Sequence, residues 1–212
     1  MLYLNLKKFQ IEDLSHPNSD VIFILESPHT QELKVGYPAA GETGVNMSKV
    51  IFNCEQPLGE LIKNRAPLPT QLSIINCSRI PLQSTCYAGE KLPLKLVEFF
   101  RIQTIYDPSV QHHKNQIKDI LRSEIGLNAL DSFESRLYAS IEISQKAKIV
   151  VCGVIAQCFF EEVTKLQGKL RKVTEFAWKE FNFSVFYEYH PSSKSGRWSD
   201  SSGMEALRHY VS

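Results

Sequence analysis

Three stretches of this chain place chemically competent side chains directly after apolar runs. In "VIFILESPHTQELKVGYPAAGETG" (21–44), five apolar residues give way to Glu26-Ser27-Pro28-His29 and then to a loop of small residues. "LSIINCS" (72–78) ends on Asn76 and Ser78, and "FSVFYEYHPSS" (183–193) ends on His190, Ser192 and Ser193. A carboxylate can stabilise a developing cation or position a water. A carboxamide donates and accepts at once, and an imidazole can stabilise negative charge as a group departs.

The elements around them explain how such residues could meet. "VIFILES" (21–27), "LSIINCS" (72–78), "KIVVCG" (148–153) and "FSVFYEYH" (183–190) read as strands. The first three are nearly continuous apolar runs, as expected of strands covered on both faces, and the fourth is rich in aromatics. Helical periodicity fills the intervals: "NMSKVIFNC", "LGELIKN", "PLKLVEFFRIQ", "NQIKDILR", "FESRLYASIEIS", "VIAQCFFEEVTKL" and "GMEALRHYV". Strands alternating with helices indicate an α/β layered fold with right-handed crossovers. In parallel sheets of this kind ligands bind outside the carboxyl ends of the strands. Glu26, Ser27, His29, Asn76, Ser78, His190 and Ser192 should therefore converge on one sheet edge.

Bulk properties narrow the classes. The chain has 212 residues, 43% of them hydrophobic and 22% charged, which fits one globular domain over 1–212. The long interval 79–147 reads as a helical insertion. A net charge of +1 excludes a uniformly basic coat for nucleic acid but leaves room for a local basic groove. No apolar run reaches the roughly 20 residues of a membrane span, and the N-terminus lacks a secretory pattern, so a cytoplasmic protein without a membrane partner is expected. Five cysteines (54, 77, 86, 152 and 158) form no C-x-x-C pair, and their spacing fits neither zinc nor a disulfide framework.

Taken together, the segments resemble the uracil-DNA glycosylase superfamily. "LESPHTQELKVGYPAAGETG" is similar to the first motif of its iron–sulfur branch, G-E-A-P-G-E followed by acidic residues and G-R-P-F-V-G-x-x-G. "LSIINCS" resembles the strand ending in the Asn that reads the base edge. "KIVVCGVIAQCFF" is similar to the strand–Gly–x–x–Ala–helix segment, and "YHPSSKSGRW" matches the H-P-S motif that opens the DNA-wedge loop. The four matches occur in family order and span most of the chain outside 79–147. The resemblance implies a three-layer sandwich, with a central four-stranded parallel sheet flanked by helices. It also implies a monofunctional DNA glycosylase that flips a base, hydrolyses its N-glycosidic bond and leaves an abasic site.

Carried across by position, Glu26 corresponds to the Glu of G-E-A-P-G, against the plain alternative of a turn-capping carboxylate. Glu32 matches a second acidic position, either a solvated charge or a water-placing group. Asn76 would read the base edge, or else cap the strand turn. His190 would stabilise the charge on the departing base, a contribution of roughly 2.7–4 kcal/mol for one preorganised donor. Ser27, Pro28, His29, Tyr37 and Ala39 would line the base pocket, with Pro28 fixing the turn. Ser192, Ser193, Lys194 and Arg197 suit phosphate contact. Trp198 is either a wedge that fills the space of an extruded base or an indole packed back onto the surface. The basic cluster "KLQGKLRK" (165–172) reads as a solvated helix end.

Three departures from the family pattern matter. Leu25 stands where the family has Gly. Ala39 stands where an aromatic ring stacks on the base, so either Tyr37 replaces that ring or the pocket is larger. The branch's cluster-binding cysteines are not reproduced, and no iron–sulfur cluster or other cofactor is expected. His29 beside a small Ala39 makes a roomier, more polar pocket, which suggests a modified or damaged base rather than plain uracil. No lysine occupies a motif position, so lyase chemistry is not indicated. A monomer acting on DNA is expected. The alternatives are a base-binding or abasic-site-binding module without turnover, and a hydrolase of free nucleosides or nucleotides.

Overall fold

The computed structural model describes residues 5–192, 197–198 and 201–212. Its centre is a sheet of five strands: β1 (Val21–Leu25), β2 (Leu72–Asn76), β3 (Lys148–Cys152), β4 (Val173–Trp178) and β5 (Phe181–Glu188), in the order β2-β1-β3-β5-β4. The first four in that order run parallel. These are the four strands read from sequence. The expected four-stranded sheet is therefore extended by one: β4 joins β5 as an antiparallel hairpin partner, from Val173↔Phe186 to Trp178↔Phe181. It escaped the sequence reading because it is an edge strand. Its first five residues alternate between exposed and half-covered, with Val173 exposed and Trp178 buried at the end, and they follow the basic cluster 165–172 without a buried run. A tight turn at Lys179 and Glu180 closes the hairpin, with Lys179 left-handed at φ 52°.

Alternate strand residues serve two apolar layers, which is why the central strands are nearly continuous apolar runs. Ile22, Ile24, Ile75, Ile149, Val151 and Val185 face one layer; Val21, Phe23, Leu72, Ile74, Val150 and Phe186 face the other. The second layer is covered by α2 (Glu42–Phe52), α3 (Leu58–Lys63) and the C-terminal helix α8 (Ser201–Val211). The first is covered by α4 (Leu94–Phe100), α5 (Val110–Leu121), α6 (Glu124–Glu142) and α7 (Val154–Thr164). Three of those four helices come from 79–147. That interval supplies Leu96, Phe99, Ile117, Leu121, Phe133 and Leu137 to the buried layer, so it is a cover of the sheet and not an appendage. Among the described residues no helix is long and apolar enough to cross a membrane.

Candidate active site at the carboxyl edge of the sheet

Strand register brings the ends of β1, β2, β3 and β5 level. Leu25 pairs with Asn76, and Cys152 pairs with Glu188. The next residues are Glu26, Cys77, Gly153 and Tyr189, so Glu26 and His190 approach one another across the end of β3. Glu26 Oε2 lies 3.8 Å from His190 Nε2 and accepts a 3.3 Å hydrogen bond from Gln103 Nε2. Between the two elements sits Gly153, left-handed at φ 93°, at the start of α7. A β-carbon there would meet Glu26 Oε1 at 2.4 Å and His190 Cβ at 3.2 Å. The glycine is thus required twice, by its backbone angle and by the carboxylate lying against it.

The imidazole is oriented from its other side. Ser192 N–H donates to His190 Nδ1 at 3.2 Å. In the neutral ring the proton then sits on Nε2, the nitrogen that faces Glu26. The loop carrying this pair is tied down from two directions. Asn46 Nδ2 on α2 donates to Pro191 O at 3.1 Å, and Trp198 Nε1 donates to Tyr189 O at 2.8 Å. Beneath it, the fully buried Glu188 carboxylate accepts from Arg171 Nε at 3.1 Å and from Tyr189 N–H at 2.8 Å. Arg171 Nη2 also donates to Arg197 O at 3.2 Å. The 165–172 segment, expected to be a solvated helix end, therefore anchors the His190 loop.

Asn76 ends β2 on the side of the sheet shared by Leu72 and Ile74. Its backbone is held firmly: Asn76 N–H donates to Asp13 Oδ1 at 3.2 Å, and Arg136 on α6 donates to Asn76 O at 2.7 Å and to Cys77 O at 2.9 Å. Its carboxamide is not. The residue is 1% exposed, and neither Nδ2 nor Oδ1 has a hydrogen-bond partner among the described residues. An orphaned buried amide costs about 1–3 kcal/mol for each unmade bond, so its presence needs a reason.

Glu32 occupies a place different from the one expected. It belongs to α1 (Thr30–Val35), a short helix unmarked by apolar periodicity, and its carboxylate is buried. The oxygens accept from the backbone N–H groups of His29 and Ala39, the latter at 2.7 Å, with Ala40 N–H also directed at them. Burial pushes the Glu32 pKa up to about 7 against these hydrogen bonds. Holding three backbone N–H groups, Glu32 shapes the loop that carries Ala39. Ala39 is fully buried and left-handed at φ 52°. Its carbonyl accepts from Gly59 N–H at 3.0 Å and would be 1.8 Å from a β-carbon at Gly44.

The other expected pocket residues scatter around this frame. Ser27 Oγ accepts from Leu82 N–H at 3.3 Å, Pro28 is buried, His29 is exposed at the start of α1, and Tyr37 is half-buried. Ser78 closes its own turn by donating to Ile80 O at 2.7 Å. Arg197 is exposed, its guanidinium 4.0 Å from the Tyr189 ring centre. Ser193 and Lys194 lie outside the described residues. Trp198 corrects the wedge alternative: the indole is 4% exposed and packs in the layer with Met204 and Leu207. All five cysteines are free thiols. Burial pushes those of Cys77 and Cys152 well up, and that of Cys158 up to about 12. Among the described residues no three His, Cys, Asp or Glu side chains gather as a metal site.

Sequence reasoning missed Gln103, Arg136, Arg171 and Glu188. Each acts on residues distant in sequence or buried inside a strand pattern, and no local motif marks it. No family model and no curated protein matches this chain.

Proposed function

We propose that this protein hydrolyses an N-glycosidic bond, as a monofunctional DNA glycosylase of the uracil-DNA glycosylase kind. The observation that carries the reading is the orphaned carboxamide of Asn76, buried at the same sheet edge as the Glu26–His190 pair. A carboxamide with both atoms unpaired complements a planar edge with one donor and one acceptor, which is what a nucleobase offers. In this state the amide is closed off from solvent, so a base reaches it only when the covering groups part.

Each residue then has a task. Asn76 holds the base edge. Glu26 faces the sugar, where its negative charge stabilises the oxocarbenium-like cation at C1′ as the bond to the base nitrogen breaks. The bonding electrons leave with the base, and the Nε2–H of His190 stabilises the negative charge they create there. Water adds to C1′, its proton passes to the anion of the departed base, and a neutral base and an abasic sugar remain. Gly153 lets the carboxylate and imidazole approach without a side chain between them.

Burial of Trp198 favours weighing a second substrate class. A free nucleoside needs no wedge to extrude it, and this indole is a packing residue. The test is base release from oligonucleotides carrying uracil, hypoxanthine, xanthine or bulky 5-substituted pyrimidines, single- and double-stranded, beside the free nucleosides. A duplex enzyme should lose affinity steeply as salt rises, whereas a nucleoside hydrolase should not.

A further inference from the structure

The interval 79–147 carries no motif of its own, yet it meets the Glu26-Ser27-Pro28-His29 turn and its neighbour at three points. Leu82 N–H donates to Ser27 Oγ at 3.3 Å. Cys86 Sγ lies 3.5 Å from Thr30 Oγ1. Gln103 Nε2 donates to Glu26 Oε2 at 3.3 Å. The first two brace the turn. The third ends on the carboxylate itself.

The geometry around Gln103 is well fixed. It ends a single 3-10 turn, Arg101–Gln103, that follows α4. Phe99, Phe100 and Ile102 are all buried in the apolar layer, so the backbone that presents the amide is anchored on the three residues nearest it that face the core. A carboxylate accepts and cannot donate, so only the NH2 end of Gln103 can face Glu26. Oε1 of Glu26 already lies against Gly153, and Oε2 is the oxygen shared by Gln103 and His190. Without the amide, Oε2 would be left facing an imidazole 3.8 Å away, while Oε1 kept its place against Gly153.

We propose that Gln103 is a positioning residue for Glu26, so that the 79–147 segment completes the site as well as covering the sheet. The proposal rests on the reading of Glu26 as the charge that faces the sugar. Gln103→Met keeps the length and removes the donor; Gln103→Glu keeps the shape and sets a like charge against Glu26. Two readouts separate the questions. One is the NMR signal of the Glu26 carboxyl carbon, identified by its loss in Glu26→Gln. The other is base release, resolved into kcat and KM, with thermal melting as the check on folding. The Glu26 signal should move in both Gln103 variants. Turnover should fall roughly 10- to 100-fold at unchanged KM, the range for one hydrogen bond to a charged group. An unmoved signal, or turnover within about twofold of the parent, overturns the proposal. A moved signal in a protein that releases no base from any substrate removes the glycosidic reading and leaves the hold of Gln103 on Glu26 standing.

Discussion

A β-carbon at Gly153 would lie 2.4 Å from Glu26 Oε1. The residue after β3 is therefore bare, which seats the carboxylate that follows β1. Gly153→Ala should displace Glu26 and strain a left-handed backbone, costing about 1–3 kcal/mol of stability and a larger share of activity. Denaturant unfolding and base release, measured on the same preparation, check both effects. Full activity in Gly153→Ala would mean that Glu26 does not need its present seat.

Asn76 offers a test in which stability and function move in opposite directions. Asn76→Leu replaces an orphaned buried amide with an apolar group of similar size, and should leave stability unchanged or raise it by about 1–3 kcal/mol. For a chain of this size that gain corresponds to a rise in Tm of roughly 2–4 °C per kcal/mol. Discrimination between bases should be lost at the same time. A marked fall in Tm would show that the amide is paired after all.

Glu32 makes stability depend on pH. Its folded pKa of about 7 stands above the ordinary 4.5, so between those values the folded chain holds a proton that the unfolded chain has released. Stability from this group is fully present below pH 4.5, falls as pH rises toward 7, and is level beyond. The total is about 3 kcal/mol for a shift of that size. Glu32→Gln should remove this slope, as read by urea unfolding across the window. A slope that persists unchanged in the variant would place its source elsewhere.

Trp198 distinguishes packing from wedge. As a buried indole donating to Tyr189 O, it should cost about 3–5 kcal/mol of stability when replaced by Ala. A wedge exposed to solvent would cost almost none and would lower only DNA binding. Thermal melting of Trp198→Ala decides between them.

What the sequence disclosed depended on how local the signal was. Strands β1, β2, β3 and β5 were legible because burial on both faces leaves continuous apolar runs. The approach of Glu26 to His190, and the place of Asn76 at the same sheet edge, followed from parallel strands ending level. Edge strand β4 was hidden because half-covered alternation beside lysines looks like a solvated segment. Helix α1 was hidden because its short turn is held by Glu32 and the backbone, not by an apolar stripe. Gln103 is remote in sequence from Glu26, and only the packing of Phe99, Phe100 and Ile102 delivers it. The side chains of Trp198 and Glu32 have the composition of an exposed loop, and their burial comes from tertiary contacts with α8 and with the Ala39 turn.

The most direct measurement is base release by the parent protein beside Glu26→Gln and His190→Ala, on the full panel of oligonucleotides and nucleosides. The expected result is release of one base class, reduced by roughly 100-fold or more in each variant, as when a group that stabilises transition-state charge is removed. No release from any substrate, or release undiminished in both variants, would contradict the assignment of this sheet edge to glycosidic cleavage.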